Sequence, residues 1–248
     1  TLFQFLTRCD WLYFDVTGQG GIRLAGQPAG VTAAADLCVR AARLLQQVTG
    51  TTRGVTIYND KCLPLGGGLG GGSSDAATTL LVLNRLWELG LDINELAELG
   101  LRLGADVPVF IHGHSAFAEG VGEVLIPARP PETWFLVLVP PVSVSTADIF
   151  SAADLTRDTP RTKIADLISG GGRNDCEAVV RRRYPEVAAA LDWLDRFSPS
   201  RMTGTGACVF ASFATEADAQ AVARQIPQTW TGFVARGVNR SPLLVAME

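Results

Sequence analysis

The sequence predicts an α+β fold in two modest domains, on three observations. A glycine-rich loop at 65–72 lies between a strand pattern and a strongly periodic helix. Short apolar runs of strand type alternate with helical stretches through the second half, as in an α/β sandwich. Between the halves, Pro127, Pro130 and Pro131 punctuate the chain and set the expected boundary at 128/129, giving domains 1–128 and 129–248. A chain of 248 residues with 47% hydrophobic and 19% charged residues has ample core for both.

In order along the chain, Leu2-Phe3-Gln4-Phe5-Leu6 reads as a strand, and residues 1 to 60 as strands with one helix. That helix carries Leu37, Ala41, Leu44 and Val48 at helical spacing, with Gly50 as its stop. Gly54 to Tyr58 is a short strand feeding the glycine loop. Behind the loop Ala76, Leu80, Leu83 and Trp87 share one helical face, closed by Gly90. Asp92 with Glu95 three residues on forms a capping box for a second helix to about Leu103. Ser115 to Leu125 alternates around Gly120-Val121-Gly122 as a hairpin. Trp134 to Val139 is a buried strand. A long helical stretch covers roughly 174 to 196. The loop Gly204-Thr205-Gly206 leads to a strand at 207–213, a helix from Thr215, and strands near 232 and 243.

Composition excludes several classes. A net charge of −4 argues against a general nucleic-acid binder, and Arg181-Arg182-Arg183 falls in a helical pattern as a solvated face. Five cysteines, odd in number and without C-x-x-C spacing, suit a reducing compartment better than a disulfide framework or a zinc site. No apolar stretch approaches the roughly 20 residues of a membrane helix, and no signal peptide is visible. The chain opens at Thr1 inside a strand pattern, so a preceding segment is expected in the intact protein.

The glycine loop is where chemistry concentrates. Six glycines surround Leu69, followed by Ser73, Ser74, Asp75 and a helix. Glycine lets a ligand reach the backbone N–H groups, and a helix start adds unpaired donors and the positive end of a dipole. Together they make an anion cradle suited to phosphate. A Walker A loop needs lysine after its last glycine, and Gly72 is followed by serine, so that reading fails. Gly66, Gly68 and Gly71 satisfy a dinucleotide fingerprint literally, but a second helix stands where its second strand and acid belong. What remains is a loop that holds ATP phosphates without a Walker lysine, against the blander reading of a Gly/Ser linker. Ser73 and Ser74 also suit helix capping. At least one is expected to cap, leaving the other for phosphate or Mg²⁺.

The run Pro64-x-x-x-Gly68-Leu69-Gly70-Gly71-Gly72-Ser73-Ser74-Asp75-Ala76-Ala77 resembles the central motif of the GHMP kinases. Leu103-Gly104-Ala105-Asp106-Val107-Pro108, Ala116 to Glu123, Asn174-Asp175-Cys176-Glu177 and Thr203-Gly204-Thr205-Gly206-Ala207 are similar to further motifs of one branch. That branch phosphorylates a hydroxyl of a cytidine-diphosphate-linked methylerythritol in the non-mevalonate isoprenoid pathway. The resemblance implies a ribosomal-S5-like N-terminal domain and a ferredoxin-like C-terminal sandwich. It implies ATP and Mg²⁺ as cofactors, a cytoplasmic monomer or weak homodimer, and no nucleic-acid or membrane partner. Another GHMP kinase, of homoserine or mevalonate type, and a catalytically impaired nucleotide-binding module are the alternatives.

Residue by residue, the resemblance assigns the ATP cradle to Gly66, Gly67, Gly68, Leu69, Gly70, Gly71, Gly72, Ser73 and Ser74, with Pro64 at its entry. It makes Asp106 the catalytic acid that accepts the hydroxyl proton; from the residues alone, Asp106 reads as an N-cap before Val107-Pro108. Lys61 stands out as one of two lysines, the other being Lys163, and lies where a nucleotide contact is expected; a solvated loop lysine is the competing reading. Val142-Ser143-Val144-Ser145-Thr146-x-x-x-Phe150 resembles the substrate segment. Phe150 would stack on cytosine, Thr146 would offer a hydroxyl, and Gly204-Thr205 would close against the first loop. Without the family, Phe150 reads as a core aromatic. Two family features are absent from this sequence, an early Pro-x-Lys-x-Asn with a catalytic lysine and a Gly-Tyr-His that holds cytosine. The family also favours asparagine where Asp36 stands.

Overall fold

The computed structural model describes residues 1–26, 32, 34–120, 122–160, 163–168 and 171–247. The first half builds a three-stranded sheet under helices. Strands β1 (Leu2–Phe3) and β2 (Phe5–Leu6) are followed by β3 (Trp11–Thr17), β4 (Ile22–Ala25), helix α1 (Leu37–Thr49) and β5 (Gly54–Asp60). The sheet order is β3-β5-β4, with Trp11 opposite Asp60 in an antiparallel ladder and Ile22 beside Val55 in a parallel one. Period-two alternation sends Leu12, Phe14 and Val16 inward and leaves Trp11 and Tyr13 exposed.

The inward face is covered by α1 and α2 (Gly71–Leu86), and α3 (Ile93–Leu103) and α4 (Val107–His112) pack onto these helices. Leu45, Ile57, Leu80, Leu83 and Ile111 are fully buried among them. Gly50 ends α1 in the left-handed region at φ 72°, and both bonds of the Asp92–Glu95 capping box form. The hairpin at 115–125 is β6 (Ala116–Glu119) and β7 (Val124–Pro127), joined by β1 in a second sheet. Val121 lies outside the described residues.

The second half comprises β8 (Trp134–Val139), α5 (Thr146–Phe150), α6 (Ile164–Ile168), α7 (Asp175–Arg183), α8 (Pro185–Leu194), β9 (Ser200–Met202), β10 (Val209–Phe213), α9 (Glu216–Ala223), β11 (Thr231–Val238) and α10 (Pro242–Ala246). One antiparallel sheet runs β2-β11-β8-β10-β9, and Leu136, Leu138 and Val209 pack a second core with Val180, Leu191 and Leu194 of α7 and α8.

Several expectations are corrected. The single strand at 2–6 is two, because Gln4 turns the chain from β6 to β11; its amide donates to the Pro131 carbonyl at 3.1 Å. The stretch 174–196 breaks at Tyr184, which sits at φ −128° because Pro185 disfavours helix before it. The expected strand near 243 is α10, started by Ser241, whose hydroxyl accepts from Leu243 N, and by Pro242. Helix α10 returns to the first half, where Leu243 and Met247 join its core.

Candidate active site

The glycine loop is a left-handed staircase. Gly66, Gly68 and Gly70 have φ of 67°, 74° and 70°, and intervening residues between such positions turn successive N–H groups toward one concavity. Helix α2 begins inside the loop. Gly70 is its N-cap, no side chain caps it, and the first helical bond runs from Ser74 N to Gly70 O at 2.9 Å. Neither Ser73 nor Ser74 is therefore the cap, which corrects the expectation from sequence. A capping side chain needs an extended cap residue, and Gly70 is left-handed. Both serines lie in the first turn, beside the unpaired N–H groups.

Close packing explains why this stretch admits only glycine at two positions. A Cβ on Gly68 would fall 2.3 Å from the Thr203 carbonyl oxygen, and one on Gly67 2.5 Å from Cys208 Sγ. The turn after β9 grips the loop through Thr203 Oγ1 to Gly68 O at 2.8 Å and Cys208 N to Gly67 O at 3.1 Å. Thr205, buried in that turn, shares a 2.8 Å hydrogen bond with Thr146 at the start of α5. Gly204 is exposed at the turn's tip, and Phe150 at the far end of α5 is 57% exposed. An aromatic left this open is not the core residue its sequence context allowed.

Asp106 stands at the start of α4 with φ −86°, ψ −13° and no capping bond from its side chain. The capping alternative is thereby excluded, because a residue already in helical conformation cannot fold its carboxylate back onto the next N–H groups. Among the described residues the carboxylate makes no hydrogen bond or ion pair, and burial raises its pKa above the usual carboxylate range. Two contacts set its surroundings. The Cβ position of nearby Gly104 is 3.8 Å from Ser73 Oγ, and the Phe110 ring of α4 covers Gly70. The loop before α4 and the start of α2 therefore adjoin.

Lys61 is neither solvated nor free. Its ammonium bonds Asp10 and, at 2.9 Å, Asp75 Oδ2, which also accepts from Asn59 Nδ2 at 3.0 Å. Asp10 in turn accepts from Cys62 N and Leu63 N, both at 2.7 Å, fixing the strap that enters the glycine loop. Burial would lower the Lys61 pKa, but the carboxylates of Asp75 and Asp10 outweigh it and hold the pKa raised. Burial raises that of Asp75, opposed by Lys61 and Asn59. An ammonium has three donors, so one remains. Lys61, Asp75, Asn59, Asp36 and Gly72 line a cavity of about 160 Å³, where the buried Asn59 Oδ1 has no partner among the described residues. Asp36 caps α1, accepting from Cys38 N at 2.8 Å.

Pro64 lies on another side, lining a cavity of about 230 Å³ with Arg8, Leu63, Val139 and Phe233; Leu69 is half-buried within the loop. The structure thus joins the loop, Thr203 to Thr205 and Thr146 in one set of contacts, and brings Gly104, two residues before Asp106, up to Ser73. Sequence reasoning missed Asp10, Asp75 and Asn59. Asp75 sat inside the quoted motif; Asp10 carried no motif signal and is found only through its place opposite Lys61.

A glycine loop that opens into a helix and is gripped by a second turn has relatives. The GHMP kinases N terminal domain profile matches residues 36–114 and the GHMP kinases C terminal profile residues 154–232. The 4-diphosphocytidyl-2-C-methyl-D-erythritol kinase of Pseudomonas syringae pv. syringae is 58% identical over 243 residues, covering 98% of this chain and 86% of that protein. The same-named kinase of Shewanella woodyi is 57% identical over 244 residues, covering 98% and 86%. A crystal structure of 4-(cytidine 5'-diphospho)-2C-methyl-D-erythritol kinase superposes with a TM-score of 0.81 at 29% identity, covering 95% of this chain and 88% of that one. The chain belongs to the 4-diphosphocytidyl-2-C-methyl-D-erythritol kinase family of the GHMP kinases.

Proposed function

We propose that the protein is an ATP-dependent kinase that phosphorylates a hydroxyl of 4-diphosphocytidyl-2-C-methyl-D-erythritol in the non-mevalonate isoprenoid pathway. The observation that carries this reading is the glycine loop opening into α2, with the segment that leads to the uncapped, partly buried Asp106 meeting it at Gly104 and Ser73. Phosphoryl transfer demands positioning and charge stabilisation rather than covalent catalysis. The N–H groups of 66–73 and the positive end of α2 cradle the phosphates, with Ser73 and Ser74 adding hydroxyls. The remaining donor of Lys61 reaches the nucleotide. Asp106 takes the proton of the attacking hydroxyl, a task its raised pKa favours. Phe150 stacks on cytosine while Thr146, Gly204 and Thr205 close over the acceptor.

Mg²⁺ neutralises phosphate charge when bound. No cluster of three His, Cys, Asp or Glu side chains among the described residues could hold it alone, so it enters on ATP, with Ser73 or Ser74 as a hydroxyl ligand. That fits a cation which keeps waters and binds through substrate phosphates. In the same proposal, residues 1–128 hold ATP and 129–248 the acceptor, and the enzyme works in the cytoplasm as a monomer or weak homodimer. Five free cysteines suit that compartment.

A substrate panel tests the reading. ATP and Mg²⁺ with the cytidine-linked alcohol should yield ADP and a phosphomonoester, while homoserine and mevalonate yield neither. Turnover of homoserine or mevalonate in its place would overturn the assignment.

A further inference from the structure

Asn174 was singled out by its motif, and no step of the proposed mechanism uses it. Its side chain is fully engaged. Oδ1 accepts from Cys176 N at 3.0 Å and caps α7. Nδ2 donates to Met202 O at 3.0 Å and Gly204 O at 2.7 Å, 28 and 30 residues away. A cap needs only the oxygen, so the two long-range bonds are additional. They hold the segment from the end of β9 into the 203–206 turn, and Glu177 of the same helix accepts from Met202 N at 3.0 Å.

What the turn touches gives these bonds consequence. From residues 203–208, Thr203 and Cys208 reach Gly68 and Gly67 of the phosphate loop, and Thr205 reaches Thr146 on the helix that carries Phe150. Whatever fixes the turn fixes both sides of the site together.

We propose that Asn174 is a positioning residue which, through Met202 and Gly204, holds the 203–206 turn in register with both the phosphate loop and the Thr146 end of α5. Binding at the nucleotide loop and at α5 is thereby coupled through one amide. The acceptor half of this statement rests on the function proposed above; the nucleotide half and the turn itself do not.

Asn174→Asp separates coupling from capping. Aspartate caps as well as asparagine, so α7 persists, but the group facing the two carbonyls loses its donors and becomes an acceptor. In Asn174→Asp, amides of 204–208 should exchange faster than in the wild type. ATP should bind roughly tenfold more weakly, and KM for the cytidine-linked substrate should rise by a similar factor, consistent with two lost hydrogen bonds. Asn174→Ser, which retains a capping oxygen without the repulsion, should fall between the two. Melting temperatures close to wild type would show that α7 is intact. Unchanged exchange with unchanged ATP affinity would overturn the proposal, as would a Tm loss with both constants unmoved. A wild-type protein that fails to phosphorylate the substrate would sink the function reading alone, because exchange and ATP binding still decide the role of Asn174.

Discussion

Lys61 Nζ and Asp75 Oδ2 meet at 2.9 Å, joining the strap before the glycine loop to the second turn of the helix behind it. With Asp10 on its other side, one buried ammonium serves two carboxylates whose side chains are 2% and 6% exposed. The arrangement makes the three residues unequal.

Lys61→Met should destabilise the protein far more than Asp75→Asn. The first leaves two buried carboxylates facing each other, and removal of one partner from such a pair costs roughly 3–5 kcal/mol. The second leaves Lys61 paired one-to-one with Asp10. Burial already raises the Asp75 pKa against the opposing pull of Lys61, so loss of that lysine in Lys61→Met raises it further. The penalty is present at neutral pH, begins to fade as pH falls through that folded-state value and vanishes below the ordinary carboxylate value. Urea titrations of both variants at neutral and acid pH check the order and the sign.

Asp106→Asn should be at least as stable as the wild type at neutral pH. Burial raises the folded-state pKa of Asp106, so its ionised form destabilises the fold above that pKa. Below the ordinary carboxylate value of about 3.9 both states are protonated and the difference vanishes. Thermal unfolding across pH measures it; a destabilised Asn variant at pH 7 would contradict the free-carboxylate geometry.

Gly68 and Gly90 offer a matched pair. Both are left-handed, at φ 74° and 72°, but a Cβ on Gly90 meets nothing within 4 Å while one on Gly68 meets the Thr203 carbonyl. Gly90→Ala should cost only the backbone strain, about 1 kcal/mol, with ATP binding intact. Gly68→Ala should weaken ATP binding more than tenfold by pushing the turn off the loop. Calorimetric ATP titration of the two variants distinguishes these outcomes.

Phe150→Ala should raise KM for the cytidine substrate and leave that for ATP nearly unchanged. The ring is 57% exposed and carries no core packing, so stability should hold. Steady-state kinetics with each substrate varied in turn provides the check.

How much was legible in the sequence depends on how local each feature is. The capping box at Asp92 and Glu95 and the stop at Gly50 are written within a few residues, and both form as read. Ser241-Pro242 is an equally local helix start, but the apolar run after it has strand length, and its partners lie in the other half of the chain. Pro185 was a visible breaker overridden by the periodicity around it. The capping of α2 escaped because Gly70, rather than a serine, takes the cap position once the loop is left-handed. Asp10 could not be found at all, since its role exists only when the start of β3 lies against the end of β5.

The central claim is that Asp106 acts on the acceptor of a phosphate held by the glycine loop. Single-turnover phosphorylation of the cytidine-linked alcohol by Asp106→Asn, alongside its ATP affinity, tests this most directly. The account predicts a rate reduced by about 10²-fold or more with ATP binding unchanged. A near-normal rate would contradict it.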